Sequence, residues 1–390
     1  MAVTTPIATH DPNPGAGPSA LDIRWWGRLL VMRIGLPDVP ALERGVSLLG
    51  SGGGGDTVTG AALLRNRLAA GHRVALTPVG ELGADAQVVP IGVVGATAVF
   101  AEKLPSGAEF GAAIAAIERW TGRPADALVS IEVGGLNGVL PLVVGGRLGL
   151  PVVDADLSGR GVPRLNQLSV AAAGKGLTPA VLAEPGGQVL VLAEATAAEL
   201  ERTARAFLAG SGGWAVLAIA PISARELPSC AIPGSMSSAV SLGRQALSVG
   251  ERPGAEALAA ATGGRVLGLG RVVEVSRRPG PGEHGRTGFA RGSATVRDHR
   301  SRSLLRLEME NEYLFAMRDG EPVASTPDVL AVLDRRTGVP IPCDVVRQGV
   351  EVTVLQLPAA EFWTDPRRLP VLEPRAFGID CDPILLEVRR

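Results

Sequence analysis

Residues 127–156 read ALVSIEVGGLNGVLPLVVGGRLGLPVVDAD, and this stretch decides the fold class. Ala127 to Ile131 is a short apolar run of strand length that stops at Glu132. A glycine pair and an amide follow, then a helical stretch from Gly138 to Gly149, then a second apolar run from Pro151 to Asp154. Strand, helix and strand in succession make a βαβ unit, whose two strands lie parallel in one sheet. The same alternation extends outward. Toward the N-terminus, Leu42 to Leu49, Thr59 to Ala70 and Ala108 to Thr121 have helical spacing, among strand-like runs at His72 to Pro78 and Ala86 to Val94. Toward the C-terminus, strand-like Ala183 to Leu192 and Ala215 to Ile219 flank a helix, and Met236 to Ser248 and Gly254 to Ala261 are helical. From Gly263 onward the runs turn β-like, separated by Gly, Pro and Asp.

The expected fold class is therefore α/β, in two parts. An N-terminal layered α/β domain with a mostly parallel sheet covers residues 21–167. A C-terminal α+β part, 168–385, is β-rich from about 263 and contains a β-barrel-like portion. Residues 1–20, rich in Pro, Thr and Gly, read as a disordered lead-in without the basic and apolar regions of a signal peptide.

Composition narrows the function classes. With 46% hydrophobic and 20% charged residues, the 390-residue chain can pack a core. A net charge of −1 gives no global reason to bind nucleic acid or anionic lipid. The longest apolar stretch, Val139 to Val153, is broken by Pro141, Arg147 and Pro151 and is too short to span a bilayer, so no membrane partner is expected. Three scattered cysteines without a CxxC suit a reducing compartment, and a cytoplasmic location follows. Only 3% aromatic residues, and no glycine-rich loop followed by lysine, leave no nucleotide or flavin site to expect. Four dispersed histidines mean that any metal, a hard divalent ion, would rest on carboxylates.

Three strings carry the chemistry. In Gly50-Ser51-Gly52-Gly53-Gly54-Gly55-Asp56, four consecutive glycines forgo all side-chain packing, which suggests an anion or carbonyl cradle of backbone N–H groups with Asp56 at its rim. The plain alternative is a flexible turn with Asp56 as a helix N-cap. In Glu132-Val133-Gly134-Gly135-Leu136-Asn137, a carboxylate and an amide sit at the carboxyl end of a strand, where α/β sheets bind ligands, and read as base and polariser or as a capped loop. In Asp154-Ala155-Asp156 through Arg160, two carboxylates two residues apart share a face if extended, which calls for a cation, a shared proton or Arg160. Asn311-Glu312 reads by itself as strand surface, and Glu102-Lys103 as a surface ion pair.

Taken in order, GSGGGGD, GATAVFAEK, IEVGGLNG, LPVVDADLSGRGVP, GSMSSAVSLGR, TGFARG, ENEYLFA, TPDVLAVLDRRTG and EPRAFG resemble the S-methyl thiohydantoin desulfurase domain family, from about Leu42 to Asp380. The resemblance implies a hydrolase of small five-membered cyclic amides or thioamides, with carboxylate- or metal-assisted attack of water. The alternative it leaves is a non-catalytic accessory subunit of a hydantoinase/oxoprolinase-type system. Its implied partners are a small-molecule substrate and either a second copy of the chain or a hydantoinase/oxoprolinase-type enzyme. It places Asp56, Glu132, Asp154 and Asp156 as candidate catalytic acids and, should a metal be present, as its ligands. Gly52, Gly53, Gly54, Gly55, Glu102, Asn137, Arg160, Asn311 and Glu312 become candidate substrate-binding residues. The chain departs from the family at Leu157-Ser158, where Gly-Met is usual, at Gly161-Val162, where Ala-Phe is usual, and at Arg164, where an acid is usual.

Overall fold

The computed structural model describes residues 31–250, 252, 254–280 and 288–387; the lead-in expected at 1–20 lies outside these. The first half runs β1 (Met32–Ile34), α1 (Val39–Leu49), α2 (Thr57–Ala69), β2 (Val74–Thr77), β3 (Gln87–Gly95), α3 (Thr97–Glu102), α4 (Ala108–Thr121), β4 (Ala127–Ser130), α5 (Leu140–Leu148) and β5 (Val152–Asp156). It continues through α6 (Ser169–Ala172), β6 (Ala180–Ala183), β7 (Val189–Leu192), α7 (Ala197–Gly210), β8 (Trp214–Ala218), β9 (Ile222–Ser223), α8 (Leu227–Cys230) and β10 (Ile232–Pro233). Helices α9 (Ser235–Ser248) and α10 (Ala255–Thr262) then lead into β11 (Arg265–Gly280), β12 (Gly288–Asp298), β13 (Leu304–Glu310), β14 (Glu312–Arg318), β15 (Glu321–Ser325), β16 (Val329–Asp334) and β17 (Glu351–Leu357).

The βαβ unit of residues 127–156 is present as β4–α5–β5. Pro141 enters α5 in its first turn, where its missing N–H costs nothing, and Gly149 ends it at φ +70°, where a side chain would be strained. Strands β2, β5, β4 and β3 pair in parallel and form the centre of the first sheet, order β1-β2-β5-β4-β3-β8-β6-β7. Antiparallel strands extend it at both edges, and β6 to β8, beyond residue 167, hydrogen-bond into this same sheet. The wholly buried strands Ala127–Ser130 and Trp214–Ala218 explain their continuous apolar character, since helices cover both faces. The second sheet, order β15-β14-β13-β12-β11-β17-β16, is antiparallel throughout. It curls into a half-barrel, which brings β16, at one end of the order, against β14 and β15 at the other.

Helix α1 joins the two parts. Its Leu42 and Val46 pack with β2 and α5 in the first core, whereas Leu48 packs with α10, β16 and β17 in the second. Where it crosses α9, Gly45 and Gly243 leave no room for a side chain. A Cβ on Gly45 would lie 1.8 Å from Ala239 O, and one on Gly243 would lie 1.7 Å from Ala41 O. Gly45→Ala should therefore destabilise the protein by about 2–4 kcal/mol in urea unfolding, because backbone must shift to admit the methyl. Gly80→Ala, with nothing within 4 Å of the added carbon, should stay within about 0.5 kcal/mol of wild type.

Candidate functional site

The glycine-rich loop after α1 is stitched to both parts of the chain through its backbone. Gly54 O accepts from Leu136 N–H (2.7 Å), and Leu49 O accepts from Gly161 N–H (2.8 Å). On the other side Ser51 O accepts from Tyr313 N–H (2.6 Å), and Gly52 O accepts from Cys343 N–H (2.8 Å). The buried Ser51 hydroxyl lies 3.0 Å from both Tyr313 O and Leu330 O. Cβ atoms on Gly54 or Gly135 would fall within 2.6 Å of the other loop's backbone, and one on Gly53 would lie 2.1 Å from Glu312 Oε1. The expectation that these glycines serve no packing role is thus corrected: they pack backbone against backbone, which only glycine allows.

Behind this loop the structure collects most of the polar residues singled out in the sequence. Glu132, just past β4, accepts from Val162 N–H on Oε1 (2.8 Å) and from Asn137 Nδ2 on Oε2 (3.1 Å). Asn137 is itself locked on the β3 backbone, accepting from Val93 N–H (2.7 Å) and donating to Val93 O (3.1 Å). Arg160, buried, donates Nε to Gly161 O and Nη1 to Thr326 Oγ1, Pro327 O and Asp328 O, which ties the β5 loop to the second sheet. Glu312, also buried, accepts from Asn311 Nδ2 on Oε1 (2.6 Å). Its Oε2 and Arg160 Nη2 are both buried and without a hydrogen-bond partner among the described residues.

These burials set the proton affinities. Burial pushes the Glu132 carboxyl up to about 7, against the opposing pull of the Val162 and Asn137 donors. Burial, then the charge of Glu132, holds the Glu312 carboxyl well above its ordinary range. Burial lowers Arg160 to about 10, although Glu312, Asp328 and Glu132 favour its charged form.

The paired acids do not meet. Asp156 Oδ2 accepts from the N–H groups of Val133 (2.7 Å), Ser158 (2.9 Å) and Gly159 (2.8 Å), and so organises the loops after β4 and β5. Burial raises its pKa. Asp154 instead accepts from Ser237 N–H (2.9 Å) in the first turn of α9. A register shift between β4 and β5 accompanies this divergence. Asp56 caps α2 through Val58 N–H, Thr59 N–H and the Thr59 hydroxyl. Among the described residues no three His, Cys, Asp or Glu side chains converge as a metal-holding group, so the four candidate acids do not form one donor set. Glu102 is exposed at the end of α3, and the expected Glu102–Lys103 pair gives way to Lys103–Glu184 at 2.9 Å.

In front of the loop lies a cleft of about 510 Å³. Gly52 to Gly55 and Asp56 form one wall; Arg277, Arg291, Met309 and Asn311 form the other, with Cys343 and Asp344 beside them. The N–H groups of Gly54 and Gly55 have no acceptor among the described residues. Arg277 is held by Cys343 O and Val346 O, and Arg291 by Glu310. Arg164 also pairs with Glu310, with its guanidinium 5.3 Å from the Phe377 ring, so the reversed charge is neutralised within the fold. Arg277, Cys343 and Asp344 escaped the sequence reading because no short motif contains them. Arg291 was visible only as part of TGFARG.

Residues 37–194 match a family model described as "S-Me-THD-like, N-terminal domain", and residues 195–385 one described as "S-Me-THD-like, C-terminal domain". No curated protein matches the chain. A crystal structure of a protein from Chromobacterium violaceum superposes with a TM-score of 0.73 at 24% identity, covering 90% of this chain and 100% of that one. That likeness shows the fold alone.

The buried acids predict how stability depends on pH. Between about pH 4.5 and 7 folded Glu132 keeps a proton that the unfolded chain has lost. Its contribution is therefore full at acid pH and declines as pH rises through 7, by about 3 kcal/mol. Unfolding free energies measured from pH 5 to 8 should fall in wild type and fall less steeply in Glu132→Gln.

Proposed function

The chain belongs to the S-Me-THD-like family, and from that premise we propose that it is a hydrolase of small five-membered cyclic amides or thioamides, thiohydantoin- or hydantoin-like. One observation carries the reading: Glu312 lies directly against Gly53, which walls the cleft, and its Oε2, like Arg160 Nη2, is buried and without a hydrogen-bond partner among the described residues. Burying an unpaired polar atom costs a few kcal/mol, so each such atom calls for a partner such as water, an ion or a ligand.

Attack of water on the ring carbon of a thioamide forms a C–O bond and breaks the C–S bond. Both protons leave the water oxygen as the new carbonyl forms; one departs on the sulfur as hydrosulfide and the other passes through the base to solvent. In this reading the free N–H groups of Gly54 and Gly55 face the ring's carbonyl or thiocarbonyl atom and stabilise the negative charge that develops there. Glu132, close to half-ionised at neutral pH, holds the proton taken from water. Glu312, kept protonated by burial, is the reserve donor behind Gly53. Arg160 stands electrostatically between the two and steadies whichever is ionised. Asn311, on the cleft wall and hydrogen-bonded to Glu312, fixes the ring's orientation.

Incubation of the isolated chain with 2-thiohydantoin and hydantoin, followed by chromatography of the ring and assay of released sulfide, should show turnover. The rate should climb with pH to a plateau above about 7, because the ionised form of Glu132 is the active one. Glu132→Gln should lower kcat by about 10²-fold or more. Full activity in that variant would overturn the assignment of Glu132, and no turnover of any cyclic amide would favour the accessory-subunit reading.

A further inference from the structure

A second cavity, of about 350 Å³, opens at the opposite end of α2 from the glycine-rich loop. Its apolar wall is Leu63, Phe110, Leu140 and Val144, whose side chains belong to the first core. Its charged lining is one-signed. Arg67 from the last turn of α2 and Arg147 from the last turn of α5 both line it, beside the neutral Asn66 and Ser106, and no Asp or Glu among the described residues does. Neither arginine has a carboxylate partner among the described residues; Arg67 Nη1 lies 3.4 Å from His72 Nε2. The nearby Glu109 is buried and tied to the Ser106 hydroxyl (2.5 Å) and Gly107 N–H (3.1 Å), at the first turn of α4 and not on the cavity wall.

Arg147 packs on the start of α4. Gly107 has φ +87°, and a Cβ there would lie 1.6 Å from Arg147 Nη1. The guanidinium therefore rests on the backbone at the start of α4, in a place that only glycine leaves open. Its position also adds to the positive end of a 14-residue helix. The cavity is thus lined by two cations, one of them packed on the Gly107 backbone, and by an apolar body. Two planar guanidinium groups match a carboxylate better than an ammonium or a neutral polar group.

We propose that this cavity is a second ligand site, independent of the first, which takes a small carboxylate with an apolar body, about the size of hexanoate or benzoate. The carboxylate lies between Arg67 and Arg147, and the hydrocarbon lies against Phe110 and Leu140. The proposal does not depend on the hydrolase reading, because no residue of the first cleft takes part.

The test is calorimetric titration of the full chain with sodium hexanoate, with 1-hexanol and hexylamine as controls of equal length. Hexanoate should saturate one site, and each control should bind at least about tenfold more weakly, because it lacks the charge-assisted pair. Arg147→Ala and Arg67→Ala, both at the surface, should each weaken hexanoate by about tenfold, and Gly107→Ala should do so by displacing Arg147. Glu132→Gln, in the other site, should bind as wild type does. Equal binding of hexanol, undiminished binding in either arginine variant, or the absence of saturable binding would overturn the proposal.

Discussion

The structure depends on one contact that contains almost no side chains. Three loops, at Gly50 to Gly55, at Gly134-Gly135 and at Gly161, meet backbone to backbone where the α/β sheet faces the half-barrel. Hydrogen bonds from Leu136, Gly161, Tyr313 and Cys343 then fix the loop to both parts of the chain. A glycine loop loses more entropy on ordering than any other, so this arrangement is stable only because its carbonyls find partners on two sides. The loop lines the cleft with Gly52 to Gly55, and Gly53 lies directly on Glu312.

Burial of charge is the second constraint, and it follows from the first. Arg160 enters the interface with four protein acceptors and still leaves Nη2 unpaired, flanked electrostatically by Glu132 and Glu312. Two acids and one base in a dry layer cannot all be ionised cheaply, which is why Glu132 and Glu312 both rise. Asp156, although equally buried, organises its loops through Oδ2, while its Oδ1 is buried without a hydrogen-bond partner among the described residues.

What the sequence revealed follows the range of each interaction. The βαβ unit was legible because its strands and helix are contiguous and their periods differ. Glu132 and Asn137 were legible as partners because only four residues of one loop separate them. The reach of Arg160 to Thr326 and Asp328, across more than 160 residues, was not. Nor was the divergence of Asp154 from Asp156, since a register shift leaves no mark in composition. The poly-glycine run was legible as important but not as packing, because a contact made by backbone names no partner. Arg164 looked like a reversed charge beside the site, and only the fold shows Glu310 answering it.

The most direct test is a crystal structure of the chain soaked with 2-thiohydantoin. The account predicts the ring in the cleft between Gly52 to Gly55 and Asn311, with its carbonyl or thiocarbonyl atom within hydrogen-bond distance of the Gly54 and Gly55 N–H groups. A ring bound elsewhere, or bound in that cleft with those two N–H groups turned away from it, would contradict it.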